Sequence, residues 1–346
     1  MLSFLAAALC AGVMGYAIQH GATCTVAAVD EVVTRRTCQR LLSLLEAALW
    51  VAGGLVIANA LHVLPGMPAA GYAISGWTVV GAALLGIGAY INGACVFGAI
   101  ARFGSGEWAY ILTPLGFYLG CLSVGAVFGV PMPKKLEHGS PVLQVSMWLV
   151  LPFVIFLLWR LTRCLRAGRA SMAIRSPGAI AEHLWSPHIA TTVIGVTFVV
   201  MLLLVGNWAY SDVLAGLARG MMASVGASTV LALVLLAGAA LGGWTAGRFR
   251  STRVSATQVV RCLAGGWLMG WGSLLLPGGN DSLVLVGMPL AWPYAWLAFA
   301  TMCVTIAVAR VAERSVVSPL AARIQALARH SPRPSHRQVR SHRRER

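Results

Sequence analysis

The sequence predicts an all-α integral membrane protein of about nine transmembrane helices, arranged as two inverted repeats with re-entrant half-helices. Three observations predict it. The composition cannot make a water-facing surface, apolar runs of spanning length recur along the chain, and basic residues are confined to alternate connections.

Of 346 residues, 58% are hydrophobic and 10% are charged, whereas a soluble domain carries about 25% charged residues. Lipid is therefore the solvent for most of the chain. The formal net charge of +16 would suggest nucleic acid as a partner in a soluble protein. Here the arginines lie between apolar runs and in the C-terminal tail, where cytoplasmic loops carry them, so no nucleic acid is expected.

Spanning takes about 20 mostly apolar residues. Candidate spans lie near 2–19, 41–64, 72–92, 107–130, 142–159, 188–206, 225–247, 262–277 and 292–310. The first begins without a preceding basic residue and lacks a small-x-small cleavage site before a soluble domain, so it is expected to be a span rather than a signal peptide. Arg160, Arg163, Arg166, Arg169 and Arg175 place the connection after the fifth span in the cytoplasm. Counting spans in both directions then places Arg35, Arg36 and Arg40, the loop from Arg248 to Arg261 and the tail from Arg314 on that side too. The expected setting is a bacterial inner membrane, with a periplasmic N-terminus and a cytoplasmic C-terminus. Lys134 and Lys135 fall on the wrong side. After His330 the tail is Arg-, Ser- and Pro-rich, a composition that cannot make a core.

Four segments are too short to cross and too apolar for ordinary loops: Gly21 to Val33, Gly93 to Ser105, Asn207 to Gly220 and Gly278 to Leu290. Non-helical backbone at membrane depth is tolerated only within protein or beside a wet cavity, so these read as re-entrant half-helices around a central site. The strings GAALLGIGAYINGACVFG and GGWLMGWGSLLLPGGNDS share a Gly-x-Gly at Gly86–Gly88 and Gly270–Gly272, and the same offset sets Cys24 opposite Trp208. The expected organisation is a first membrane repeat over 1–130, a fifth span and basic cytoplasmic loop over 131–187, a second, inverted repeat over 188–310 and a basic disordered tail over 311–346. Inverted repeats with broken helices mark secondary transporters. The Gly-x-Gly is no dinucleotide loop, since no strand precedes it.

The eight cysteines are scattered without a CxxC pair, which argues against a disulfide framework. In apolar helices a cysteine is ordinarily a small packing residue, the reading given to Cys10, Cys121 and Cys303. Cys24 and Cys95 differ, because each opens one of the short segments. A helix N-terminus favours an anion and lowers a thiol's pKa. Thr23 adjoins Cys24, Asn92 and Gly93 lead into Cys95, and Gly279 and Asn280 occupy the corresponding segment of the second half. Asp30 and Glu31 are placed to pair with Arg35, and Arg102 with Glu107; if one of these charges faces the path, Arg102 is the anion contact.

The strings GATCTVAAVDEVV, NGACVFGAIARFGSGEWAY and GGWLMGWGSLLLPGGND resemble the YeeE/YedE family over nearly the whole chain up to Arg310. The resemblance implies uptake of thiosulfate or a related sulfur-containing anion, with cysteines on broken helices passing the anion along through weak S–H contacts. That role transfers to Cys24 and Cys95. One departure stands out: family members that transport thiosulfate carry a further cysteine in the Gly-rich segment of the second half, where this chain reads Pro277-Gly278-Gly279-Asn280-Asp281. Cys262, a full span earlier, is a poor substitute by position. The alternative reading is a sulfur- or selenium-handling protein that passes sulfur as a persulfide to a cytoplasmic sulfur carrier or sulfurtransferase. No P-loop, zinc spacing or catalytic triad is present, so neither an ordinary enzyme nor a cofactor is expected.

Overall fold

The structure, a computed structural model, describes residues 1–64, 69–129, 133–144, 150–173, 185–220 and 225–330. Among the described residues, thirteen α-helices make up the fold. In the first half they are α1 (Leu2–Gly21), α2 (Thr25–Arg35), α3 (Gln39–Ala60), α4 (Gly76–Asn92), α5 (Val96–Gly104) and α6 (Leu112–Phe128). After α7 (Val150–Ala173) come α8 (Pro187–Val205), α9 (Tyr210–Ala218), α10 (Val225–Thr245), α11 (Ala256–Leu275), α12 (Asn280–Ser282, continued by a π-helical turn over Leu283–Gly287) and α13 (Pro293–His330). Long and short helices alternate in both halves, in the order long, short, long, long, short, long.

Among the described residues, seven helical runs are long and apolar enough to cross a membrane, or eight if α11 and α12, bent by 50°, count as one. The chain is thus a multi-pass membrane protein with fewer self-sufficient spans than the nine expected. The expected spans at 142–159 and 262–277 account for the difference. The first became α7, which begins at Val150 and carries Arg160, Arg163, Arg166 and Arg169 from its middle onward, while 145–149 lie outside the described residues. The second became α11, which qualifies only together with α12. The segments expected to be re-entrant also differ in form: α1 with α2, and α4 with α5, each make one continuous apolar run, Leu2–Arg35 and Gly76–Gly104.

Local chemistry explains where the helices start and stop. Ser75 and Thr78 form a reciprocal capping box at α4, and Ser255 Oγ accepts the Gln258 N–H at 3.2 Å at α11. At three of the junctions from a long to a short helix the first residue has positive φ, Ala22 (46°), Gly93 (76°) and Gly206 (82°), and in the fourth Gly278 (122°) follows two residues later. Such a residue ends a helix and redirects the chain, and glycine adopts it without strain.

The long helices pack through small residues. Gly81 of α4 lies against Gly272 of α11, and Gly88 against Gly265, each with no room for a Cβ. Rising number on one helix meets falling number on the other, so α4 and α11 cross antiparallel. In a lipid solvent such close backbone approach is what holds helices together. Around this pair α11 packs on α6 and α13 on α4, while α1 packs on α10 and α8 on α3. Leu5, Leu9, Leu122, Leu233, Val304 and Val308 are exposed, the surface a lipid-facing bundle presents.

Connections gather at two ends. At one, Asp30 meets Arg310 and Arg314 at 3.7 and 3.8 Å, and the Arg250 N–H donates to Ser105 O at 3.0 Å. At the other, Tyr72 bridges to Lys135, and Ser140 Oγ donates to Leu290 O at 2.8 Å. Glu31 pairs with Arg40 at 3.5 Å. Arg35, expected to pair with Asp30 and Glu31, is replaced in that role because α13 and the turn into α3 bring other arginines closer. Residues 311–330, expected to be disordered, continue α13, as their Ala-, Leu- and Arg-rich sequence favours. The rest of the tail, 331–346, lies outside the described residues.

Candidate functional site

Cys24 and Cys95 are the N-caps of α2 and α5, both in extended backbone conformation. The two short helices meet at these caps. Cys95 Sγ lies 3.7 Å from Cys24 Sγ and accepts the Thr25 main-chain N–H at 3.2 Å. Cys95 is fully enclosed, whereas Cys24 is partly exposed. Both are free thiols. A Cβ on Gly98 would collide with Cys24 Sγ, so glycine at this position makes the space the sulfur occupies.

The approach to Cys95 is built by Asn92. Its side-chain amide donates to Ala94 O at 2.7 Å, and its Oδ1 accepts from Thr113 at 3.0 Å. Its carbonyl accepts from Tyr110 OH at 3.1 Å. The Asn92 and Ala94 carbonyls are thus both occupied, because Asn92 folds back to stabilise the break. Asn92 is therefore a builder of the turn, with Gly93 as its left-handed cap.

The second half reaches the thiols through Asn280. Thr25 Oγ1 donates to Asn280 Oδ1 at 3.3 Å. Asn280 is fully buried and its Nδ2 has no partner, which leaves a hydrogen-bond donor beside the thiol pair. Thr23 Oγ1 is likewise buried and unpartnered. An unmade buried hydrogen bond costs about 1–3 kcal/mol, and both of these groups border the thiol junction. Gly279 caps α12 and packs on Ser211, with no room for a Cβ. Asp281 has both carboxylate oxygens engaged by Ser211, Oδ2 accepting its N–H at 2.9 Å and Oδ1 its hydroxyl.

Arg102 makes no hydrogen bond to this junction but lies within electrostatic reach of Cys24. It pairs with Glu107 at 3.2 Å and lies 5.2 Å over the Tyr110 ring. Cys262 is the residue that position in the sequence undervalued. It is fully buried, in a small cluster with Ala94, Ala99, Ala109 and Tyr110 against which Cys24 packs. No sequence offset reveals this, because α11 reaches the cluster by crossing α4. Among the described residues, no group of three His, Cys, Asp or Glu side chains is placed to hold a metal.

A multi-pass helical protein whose broken helices converge on buried, unsatisfied polar groups has the form of a membrane transporter. The sulphur transport family, YeeE/YedE, matches residues 20–308, and the chain belongs to it. No curated protein matches the chain. The family function is sulfur transport across a membrane.

Proposed function

We propose that the chain is a transporter or channel-like pore for thiosulfate or a related sulfur-containing anion, with its path at the Cys24–Cys95 junction. The observation that carries this reading is the meeting of two thiols at two helix N-termini beside the unpartnered Asn280 amide. Helix N-termini stabilise negative charge, the amide donates to an oxyanion oxygen, and a polarizable thiol suits a soft terminal sulfur. The path residues are Cys24, Cys95, Thr23, Gly279 and Asn280, with Asn92 and Gly93 shaping the turn and Arg102 as an outlying cation. Cys262 stands in for the thiol missing from the second half, in three dimensions rather than in register.

In this reading the two halves are inverted repeats. Two observations support it. Packing partners exchange with the halves: α1 on α10 mirrors α8 on α3, and α4 on α13 mirrors α11 on α6. The corresponding helices α4 and α11 also meet antiparallel, each glycine of one facing the counterpart of the other glycine, as a two-fold axis in the membrane plane requires. The arginine-bearing end then faces the cytoplasm of an inner membrane.

The second reading, sulfur passed as a persulfide to a cytoplasmic carrier, draws on the partial exposure of Cys24. Labelled thiosulfate uptake into proteoliposomes holding the purified chain tests the first reading. Uptake above that of empty vesicles is expected, whereas none, together with persulfide trapped on Cys24, would favour the second.

A further inference from the structure

Thiosulfate uptake as proposed leaves an energetic problem. Bringing a dianion in against about 100 mV costs roughly 4.6 kcal/mol, at about 2.3 kcal/mol per charge. The structure holds two linked carboxylates, one buried and one open to a cavity, that no ion pair among the described residues explains.

Asp212 of α9 and Asp281 of α12 are linked reciprocally. Asp281 accepts from Ser211, the neighbour of Asp212, and Asp212 Oδ2 accepts from Ser282, the neighbour of Asp281, at 2.6 Å. Asp281 is 1% exposed. Among the described residues neither carboxylate lies in an ion pair. For the enclosed Asp281 an unpaired charge is costly and a proton removes that cost, while Asp212 is exposed and opens to the cavity.

Access and connection are both present. Asp212 and Ser282 line a cavity of about 860 Å³ at the end of the bundle that holds Tyr72 and Lys135. Ser273 lines the same cavity, and its hydroxyl is buried without a partner, a place for water beside the carboxylates. The other groups facing Asp212 are Arg219 on its own helix, Tyr72, Tyr294 of α13 and Lys135. Tyr210 of α9 lies by Asp281, and α6 brings Cys121 within electrostatic reach of Arg219. α10, packed on α9, has no ionisable side chain over Val225–Thr245. On the inner side Asp281 adjoins Asn280, which is bonded to Thr25, the neighbour of Cys24.

We propose that Asp212 and Asp281 form a proton site, loaded from this cavity, that couples inward proton movement to anion movement through the Cys24–Cys95 junction. The inference rests on the transport reading above. Two carboxylates match the two charges of a thiosulfate dianion, so uptake with two protons is electroneutral. Lys135, which breaks the distribution of positive charge among the connections, belongs to the cavity wall and draws anions to the same mouth.

The test follows tracer and protons together. The full chain is reconstituted in vesicles with a pH-sensitive dye inside and the membrane potential clamped at zero, and radiolabelled thiosulfate is added outside. Wild-type uptake should acidify the lumen and rise several-fold with a pH gradient, acid outside. Asp212→Asn should still admit tracer down a thiosulfate gradient but lose both the acidification and the stimulation, and Asp281→Asn should lose the acidification. Tracer uptake by the wild type without acidification, or acidification unchanged in both variants, overturns the proposal. No tracer uptake by the wild type removes the transport reading and this proposal with it. Should Asp212→Asn fail to give a monodisperse protein, Ser282→Ala removes the hydroxyl that Asp212 accepts. A shifted pH for half-maximal stimulation is then expected, and an unchanged pH profile overturns the proposal.

Discussion

The sulfur atoms of Cys24 and Cys95 lie 3.7 Å apart although 71 residues separate them in the chain. Two independent helix breaks, each opened by a positive-φ residue, bring them together. The sulfur of Cys24 then fits only because Gly98 has no side chain.

Gly98→Ala should therefore disturb the thiol junction itself. Forcing a methyl into a packed site costs about 1–3 kcal/mol, and here it displaces the thiol directly. Uptake should fall at least about tenfold, with a lowered melting temperature in detergent. Wild-type uptake in Gly98→Ala would show that Cys24 need not sit where it does.

Asn280→Ala removes the unpartnered donor and the acceptor of the Thr25 hydroxyl. A lost hydrogen bond to a charged group is worth about 1.5–3 kcal/mol, so the half-saturating thiosulfate concentration should rise roughly tenfold or more. Asn280→Asp should be worse, since it offers a like charge to the anion. An unchanged half-saturating concentration in both variants would remove Asn280 from the path.

Cys262→Ala tests the substitute thiol. The cavity left by one sulfur is small, so stability should change by about 1 kcal/mol, while uptake should drop if Cys262 takes part in passing the anion. Uptake equal to wild type would return Cys262 to a packing role.

Glu46 serves as a structural contrast. Its carboxylate accepts from Arg160 Nε and an Nη at 2.5 and 2.8 Å and contacts His188 at 2.6 Å, and it makes no hydrogen bond to either thiol. Removing one member of a buried ion pair costs about 3–5 kcal/mol. Glu46→Ala should accordingly lower the detergent melting temperature more than any thiol variant. A melting temperature like that of the wild type would mean that the Glu46 cluster is solvated.

The sequence revealed the bundle because lipid imposes apolar runs of fixed length, and it revealed the thiols because Cys24 and Cys95 both follow a Gly- or Asn-rich interruption. It did not reveal which helices cross. That depends on glycine faces such as Gly88 on Gly265, whose partners carry no signature in the one-dimensional pattern. The place of Cys262 and the pairing of Asp30 with α13 were hidden for this reason. The occupied carbonyls around Cys95 were hidden for another: a side chain folding back on its own break, as Asn92 does, cannot be told in sequence from one facing a path.

The central claim is that an anion passes the Cys95 sulfur, and the direct measurement is labelled thiosulfate uptake by Cys95→Ala and Cys95→Ser at matched protein level. Alanine fits the same enclosed space, so the fold should persist. Soft contact with the substrate's sulfur predicts that both variants lose uptake. If oxyanion hydrogen bonding suffices, serine should retain much of the activity and alanine little. Wild-type uptake in both variants would contradict the account and leave Cys95 as packing.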